Sequence, residues 1–143
     1  MKKVKRQEIN FAQIRNFLES AELRLKKAER IVRLDEQSGF QAAYDATLKV
    51  SLAFMLSFGL RPRSTVGHHK AIIEFVEKKL GSEFKSVISS FDIMRRKRNQ
   101  AIYEPISTIS ESEADNAIII AKKYLAIIKK IIRKNDPQQA LEY

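Results

Sequence analysis

Apolar residues recur along this chain at spacings of three and four, and they mark five helical segments. From about Asn10 to Asp35 the apolar face is Ile14, Phe17, Leu18, Ala21, Leu25, Ala28, Ile31 and Val32, with Glu22, Arg24, Lys26, Lys27, Glu29 and Arg30 opposite. Gly39 is expected to end this element or to sit in the following turn. From Phe40 to about Phe58 the chain is apolar nearly all round, which predicts a central helix covered on several sides. Gly59 and Pro62 stop it, and RPRSTVG reads as a turn. A short third helix buries Ile72, Ile73, Phe75, Val76 and Leu80. Ser82 is the expected N-cap of a fourth, with Phe84, Val87, Ile88, Phe91 and Met94 inward and Pro105 as its stop. Ser110 and Glu113 read as a capping box opening a last helix, striped by Ala114, Ala117, Ile118, Ala121, Leu125, Ile128 and Ile132. Within that stripe Ile118, Ala121, Leu125, Ile128 and Ile132 keep a near-heptad spacing over about two repeats. That is too short to distinguish a coiled-coil dimer seam from a seam inside the bundle, and the bundle seam is the favoured expectation. No strand alternation, internal repeat or low-complexity segment is visible. The expected fold is all-α, an antiparallel bundle of four to five helices in a single domain over 1–143, with its core at about 10–134 and loose tails at 1–9 and 135–143.

The totals sharpen this picture. A chain of 143 residues suits one domain, and with only 4 Gly and 3 Pro it has few turns and therefore long elements. The 27 Lys and Arg outnumber the 17 Asp and Glu, giving a net charge of +10. Such an excess attracts polyanions such as RNA, DNA, an acidic protein or an anionic membrane surface. With no cysteine there is no disulfide framework and no thiolate chemistry, and a reducing cytoplasm is the simplest location. MKKVKRQEINF is basic but no apolar run follows it, so no secretory signal is expected. VSLAFMLSFGL, the most apolar stretch, is far short of the ~20 residues that span a bilayer, so no membrane span is expected.

Several chemistries find no support in the sequence. His68 and His69 are adjacent, so on a helix they point about 100° apart, and neither has a ligand-type residue four positions on. Zinc needs three or four ligands on one centre, so neither metal nor cofactor is expected, and the pair reads as a helix start with one buried and one exposed ring. There is no G-x-S-x-G element and no glycine-rich phosphate loop.

The segment FDIMRRKRNQAIYEP, residues 91–105, is different. It places Arg95, Arg96, Lys97 and Arg98 consecutively, followed by Asn99 and Tyr103. Cations near a helix C-terminus complement its dipole, which is the plain structural reading. Asn99 argues against that reading alone, because asparagine is a poor helix former and something other than propensity should hold it there. Arg98 and Tyr103 are offset by about 140° on a helix, yet both long side chains can converge on one groove. Arg95, Arg96 and Lys97 are candidate nucleic-acid contacts.

At these residues the chain resembles the HEPN superfamily, the helical domains of prokaryotic toxin–antitoxin and defence systems and of some eukaryotic RNases. The family signature is an Arg, usually followed by Asn or another polar residue, and then a His after four to six intervening positions. Arg98 and Asn99 match its first half. AAYDATLKVSLAFMLSFGLRPRSTVGHHKAIIEFV resembles the family's second helix, its small-residue turn and its following Gly-His, so the resemblance covers about residues 15–133. It implies metal-independent RNA cleavage, with Arg98 on the scissile phosphate, Asn99 and position 103 completing the catalytic set, and two protomers joining their motifs in one cleft. At position 103 the chain departs from the signature, carrying Tyr where the family has His. A tyrosine, with a pKa near ~10, is a weak general base at neutral pH, although it can donate a proton or bind a phosphate.

Three readings follow. The first is a HEPN-like RNA-directed domain, either a weak endoribonuclease or a degenerate RNA binder. The second is an interaction module that pairs with a nucleotidyltransferase-type protein, as HEPN domains do in two-gene modules. The third is a structural bundle with a solvated basic face. A homodimer is implied by the resemblance alone.

Overall fold

A computed structural model describes residues 4–63, 68–106 and 109–137. Within them the chain is predominantly helical: α1 Phe11–Ile31, α2 Glu36–Ser57, α3 His68–Leu80, α4 Lys85–Tyr103 and α5 Glu111–Asn135. Two short strands, β1 Val4–Arg6 and β2 Leu60–Pro62, pair antiparallel in the register Val4 to Pro62 and Arg6 to Leu60. No helix among the described residues is long and apolar enough to cross a membrane.

Helix α2 packs against each of the other four helices, which is why its burial runs round the cylinder from Phe40 and Ala43 to Tyr44, Val50, Phe54 and Met55. A strongly amphipathic helix could not fill that place. Helix α1 runs antiparallel to α2, since Arg24 meets Asp45 while Val32 meets Gly39. It also runs antiparallel to α5. Arg15 bonds to Asp136, Glu22 to Lys129, Glu29 to Lys122 and Arg33 to Glu111, stepping up one helix and down the other. Most of these pairs are exposed and set register more than stability, since such pairs contribute only about 0–1 kcal/mol. The stripe of α5 from Ala114 to Ile132 is buried within the chain, so it is an intramolecular seam.

Local chemistry explains the boundaries. Asn10 caps α1 through a bond from the Gln13 amide, and Asp35 caps α2 through the Gln37 amide. The Ser110–Glu113 capping box is complete, with each side chain bonded to the other residue's backbone amide. Three features depart from the sequence expectation. Gly39 lies inside the first turn of α2 and ends nothing; the absence of a side chain lets α2 approach Val32. Ser82 opens a 3₁₀ turn, Ser82–Phe84, and α4 starts only at Lys85. Both chain ends expected to be loose are partly tied down, by β1 at one end and by the Asp136 carboxylate at the other, 2% exposed and 2.6 Å from the Arg15 guanidinium. Of the expected RPRSTVG turn, Arg61 and Pro62 belong to β2, and residues 64–67 lie outside the described residues.

Candidate functional site

The basic run of α4 does not behave as a block. Arg95 Nε donates to Asp92 Oδ1 at 3.0 Å and Arg96 donates to Asp92 Oδ2 at 2.9 Å, one and the same carboxylate serving both. Lys97 lies 3.3 Å from Glu113 of α5. Burial pushes the Asp92 carboxyl up, but the bonds from Arg95 and Arg96 outweigh it and hold it below the usual carboxylate range. The Glu113 carboxyl is also held low, first by the Ser110 amide and then by Lys97.

Arg98 is held differently. Its Nε donates to the side-chain Oε1 of Gln41 at 3.3 Å, its Nη1 donates to Asn99 Oδ1 at 3.3 Å, and its guanidinium carbon lies 5.8 Å from the centroid of the Tyr44 ring. All three partners are neutral. A guanidinium over an aromatic face gains about 0.5–1 kcal/mol at a partly exposed position and keeps its full charge. Among the described residues, Arg98 is the one cation of the four with no carboxylate partner. Asn99, the poor helix former, is explained by the same contact.

Tyr44 is the floor of this arrangement. It is fully buried on α2, and its hydroxyl lies 3.2 Å from Nδ1 of His69, in the first turn of α3. Its ring continues into an aromatic column through Phe91 of α4 to Tyr124 of α5, at 5.8 Å for each step. The Tyr124 hydroxyl is 2.7 Å from Ser51 Oγ, which donates to the Thr47 carbonyl. Side chains in such a satisfied column have little freedom, so the surface above Tyr44 is preorganised. Burial raises the Tyr44 phenol to about 12, against the opposing pull of Arg98 and Arg95.

His69 is half-buried and has a lowered proton affinity, first because of burial, then because of His68 and Arg98. It is therefore a neutral imidazole at pH 7 with cations nearby. His68 meets it edge to face at 4.5 Å and is itself half-buried, so the expected split into one buried and one exposed ring does not occur. Among the described residues, no three His, Asp or Glu side chains are grouped to hold a metal ion.

The site thus unites Gln41 and Tyr44 of α2, His69 of α3, and Arg98 with Asn99 of α4. Tyr103 stands apart from it, 86% exposed in the last residue of α4. Sequence reading reached Arg98 and Asn99. It missed Gln41 and Tyr44, whose only signal is their place in the most apolar helix. Gln41 also leads out of the site. Its amide nitrogen donates to Asp45 at 2.9 Å, and it lines a groove between α1 and α2 with Arg24, Lys27, Arg30, Gln37 and Ser38. Arg24 is paired there with Asp45 at 3.0 Å.

No protein-family model matches this chain, and no curated protein or solved structure matches it.

Proposed function

We propose that this chain is a HEPN-like RNA-directed domain acting in a toxin–antitoxin or defence context, in which Arg98 grips a backbone phosphate. The observation that carries the reading is the neutral coordination of Arg98. A guanidinium oriented by Gln41, Asn99 and Tyr44, with no carboxylate partner among the described residues, presents its remaining donors to an anion. The α1–α2 groove, where Lys27 and Arg30 stand beside the paired Arg24 and the single carboxylate of Asp35 among its lining residues, offers neighbouring phosphates a net-basic path that meets the site at Gln41. Arg96, the exposed cation of the run, joins it by exchanging its carboxylate partner, which surface pairs do at little cost, and Arg95 and Lys97 add positive charge from beside it. The resemblance to HEPN domains, carried by Arg98, Asn99 and the bundle pattern, supplies the choice of RNA among polyanions.

The test is incubation of a mixed cellular RNA pool, without metal, with the parent protein and with Arg98→Ala, alongside binding at low salt. Cleavage by the parent that disappears in the variant makes the chain a metal-independent endoribonuclease. Binding without cleavage makes it an RNA binder. No binding at low salt removes the proposal.

A protein partner is the second reading, favoured by the exposure of Ile102, Tyr103 and Ile106 at and just beyond the end of α4, at 54%, 86% and 79%. Apolar groups gathered in one region of a charged surface mark contact sites. The partner on this reading is a second copy of the chain or a nucleotidyltransferase-type protein. A source pull-down that returns RNA and no stoichiometric protein counts against it.

A further inference from the structure

The signature segment of α4 contributes one oriented cation to the site, and the second chemically capable group comes from another helix. Arg98 and His69 both rest against Tyr44. The guanidinium carbon is 5.8 Å and the imidazole centroid 5.9 Å from its ring centroid, and the hydroxyl end of that ring meets His69. The Tyr44 hydroxyl occupies Nδ1, so Nε2 is the ring nitrogen left for a ligand. Among the described residues, neither Arg98 nor His69 has a carboxylate partner. Asp45 favours the protonated imidazole, and it is already committed to Arg24 and Gln41.

We propose that Arg98 and His69 are the two ends of one phosphate-binding site, built on Tyr44, in which phosphate oxygens meet the guanidinium of α4 and Nε2 of α3. The inference goes beyond the reading above: it adds a residue outside the α4 segment, and it needs only a phosphate, free or esterified. Its chemistry has a direct consequence. The charged groups around His69 are Asp45 from α2, which favours its protonation, and His68 of α3 with Arg95 and Arg98 of α4, which oppose it. The phenol of Tyr44 from α2 stays neutral. A phosphate seated here adds negative charge beside the imidazole and neutralises Arg98 at once. Both effects favour the imidazolium, so the ligand and a proton bind together.

The experiment is a pH titration of the His69 ring signals by NMR in the full chain, at matched ionic strength, with inorganic phosphate and with chloride alone. His69→Gln assigns the signals, and Arg98→Gln is run in parallel after circular dichroism shows it folded. The expected result is a rise of the His69 midpoint by about one pH unit with phosphate. That rise should be lost or much reduced in Arg98→Gln, and His68 should move less. A His69 midpoint indifferent to phosphate in the parent overturns the proposal, as does an equal rise in the folded Arg98→Gln variant. A short RNA in place of phosphate separates the two readings. If phosphate moves His69 and RNA does not, the phosphate site stands and the RNA function falls.

Discussion

Val32, the residue that closes α1, packs into the place where Gly39 has no side chain. A Cβ built on Gly39 would lie 2.7 Å from the Val32 Cβ and 2.9 Å from its Cα. The second contact is with backbone, so α2 itself would have to move. Overpacking of this kind costs about 1–3 kcal/mol, occasionally more. Alanine's better helix propensity recovers at most about 1 kcal/mol of that. Gly39→Ala is therefore expected to lower the urea midpoint of unfolding. An unchanged or higher midpoint would show that α1 and α2 can separate freely at this point.

Asp136 closes the bundle at its other end. Its carboxylate is buried against Arg15, so Asp136→Asn removes a charge partner from a largely covered guanidinium. A loss of about 1–3 kcal/mol is expected. Thermal unfolding of the variant checks it, and a melting temperature equal to the parent's would mean that the pair adds nothing.

The low proton affinity of His69 makes stability depend on pH. Below about 6.5 an unfolded histidine takes up a proton that the folded ring resists. The unfolded chain then binds more protons, so the contribution is whole above that pH and declines as the pH falls through and below it. His69→Gln should flatten this part of the stability–pH curve and leave the carboxylate-linked losses at lower pH in place. Curves that run parallel between pH 7 and pH 5 would contradict the assignment.

Salt dependence tests whether Arg98 makes a true phosphate contact. Replacing one such contact lowers the slope of log affinity against log salt by about 1. Arg98→Ala is expected to do so, and Arg98→Lys to recover charge but only part of the affinity, since a lysine cannot reproduce the fork held by Gln41 and Asn99. A slope unchanged in Arg98→Ala would place the RNA contacts elsewhere.

How far the sequence could be read depended on distance along the chain. Helices α1 and α5 were legible because each buries one stripe, and the capping box needs only residues 110 and 113. Gly39 was misread because a glycine that ends a helix and one that admits a neighbour look alike in sequence. Strands of three residues are too short to show alternation. Arg98 and Asn99 are neighbours and could be found together. The residues that orient them could not: Gln41 lies 57 positions from Arg98, and Tyr44 lies 25 from His69. Periodicity reports which face of a helix turns inward and says nothing about which polar residue at the rim meets which.

The small β1–β2 ribbon makes the start of the chain part of the architecture around the site. Val4 pairs in register with Pro62, six positions before α3 begins at His68. Shifting β1 by one residue would turn Val4, which is buried, outward. A fusion that disturbs β1 would thus leave β2 unpaired six positions before α3 begins. Assays of this protein are best made with any tag at the other terminus or cleaved away.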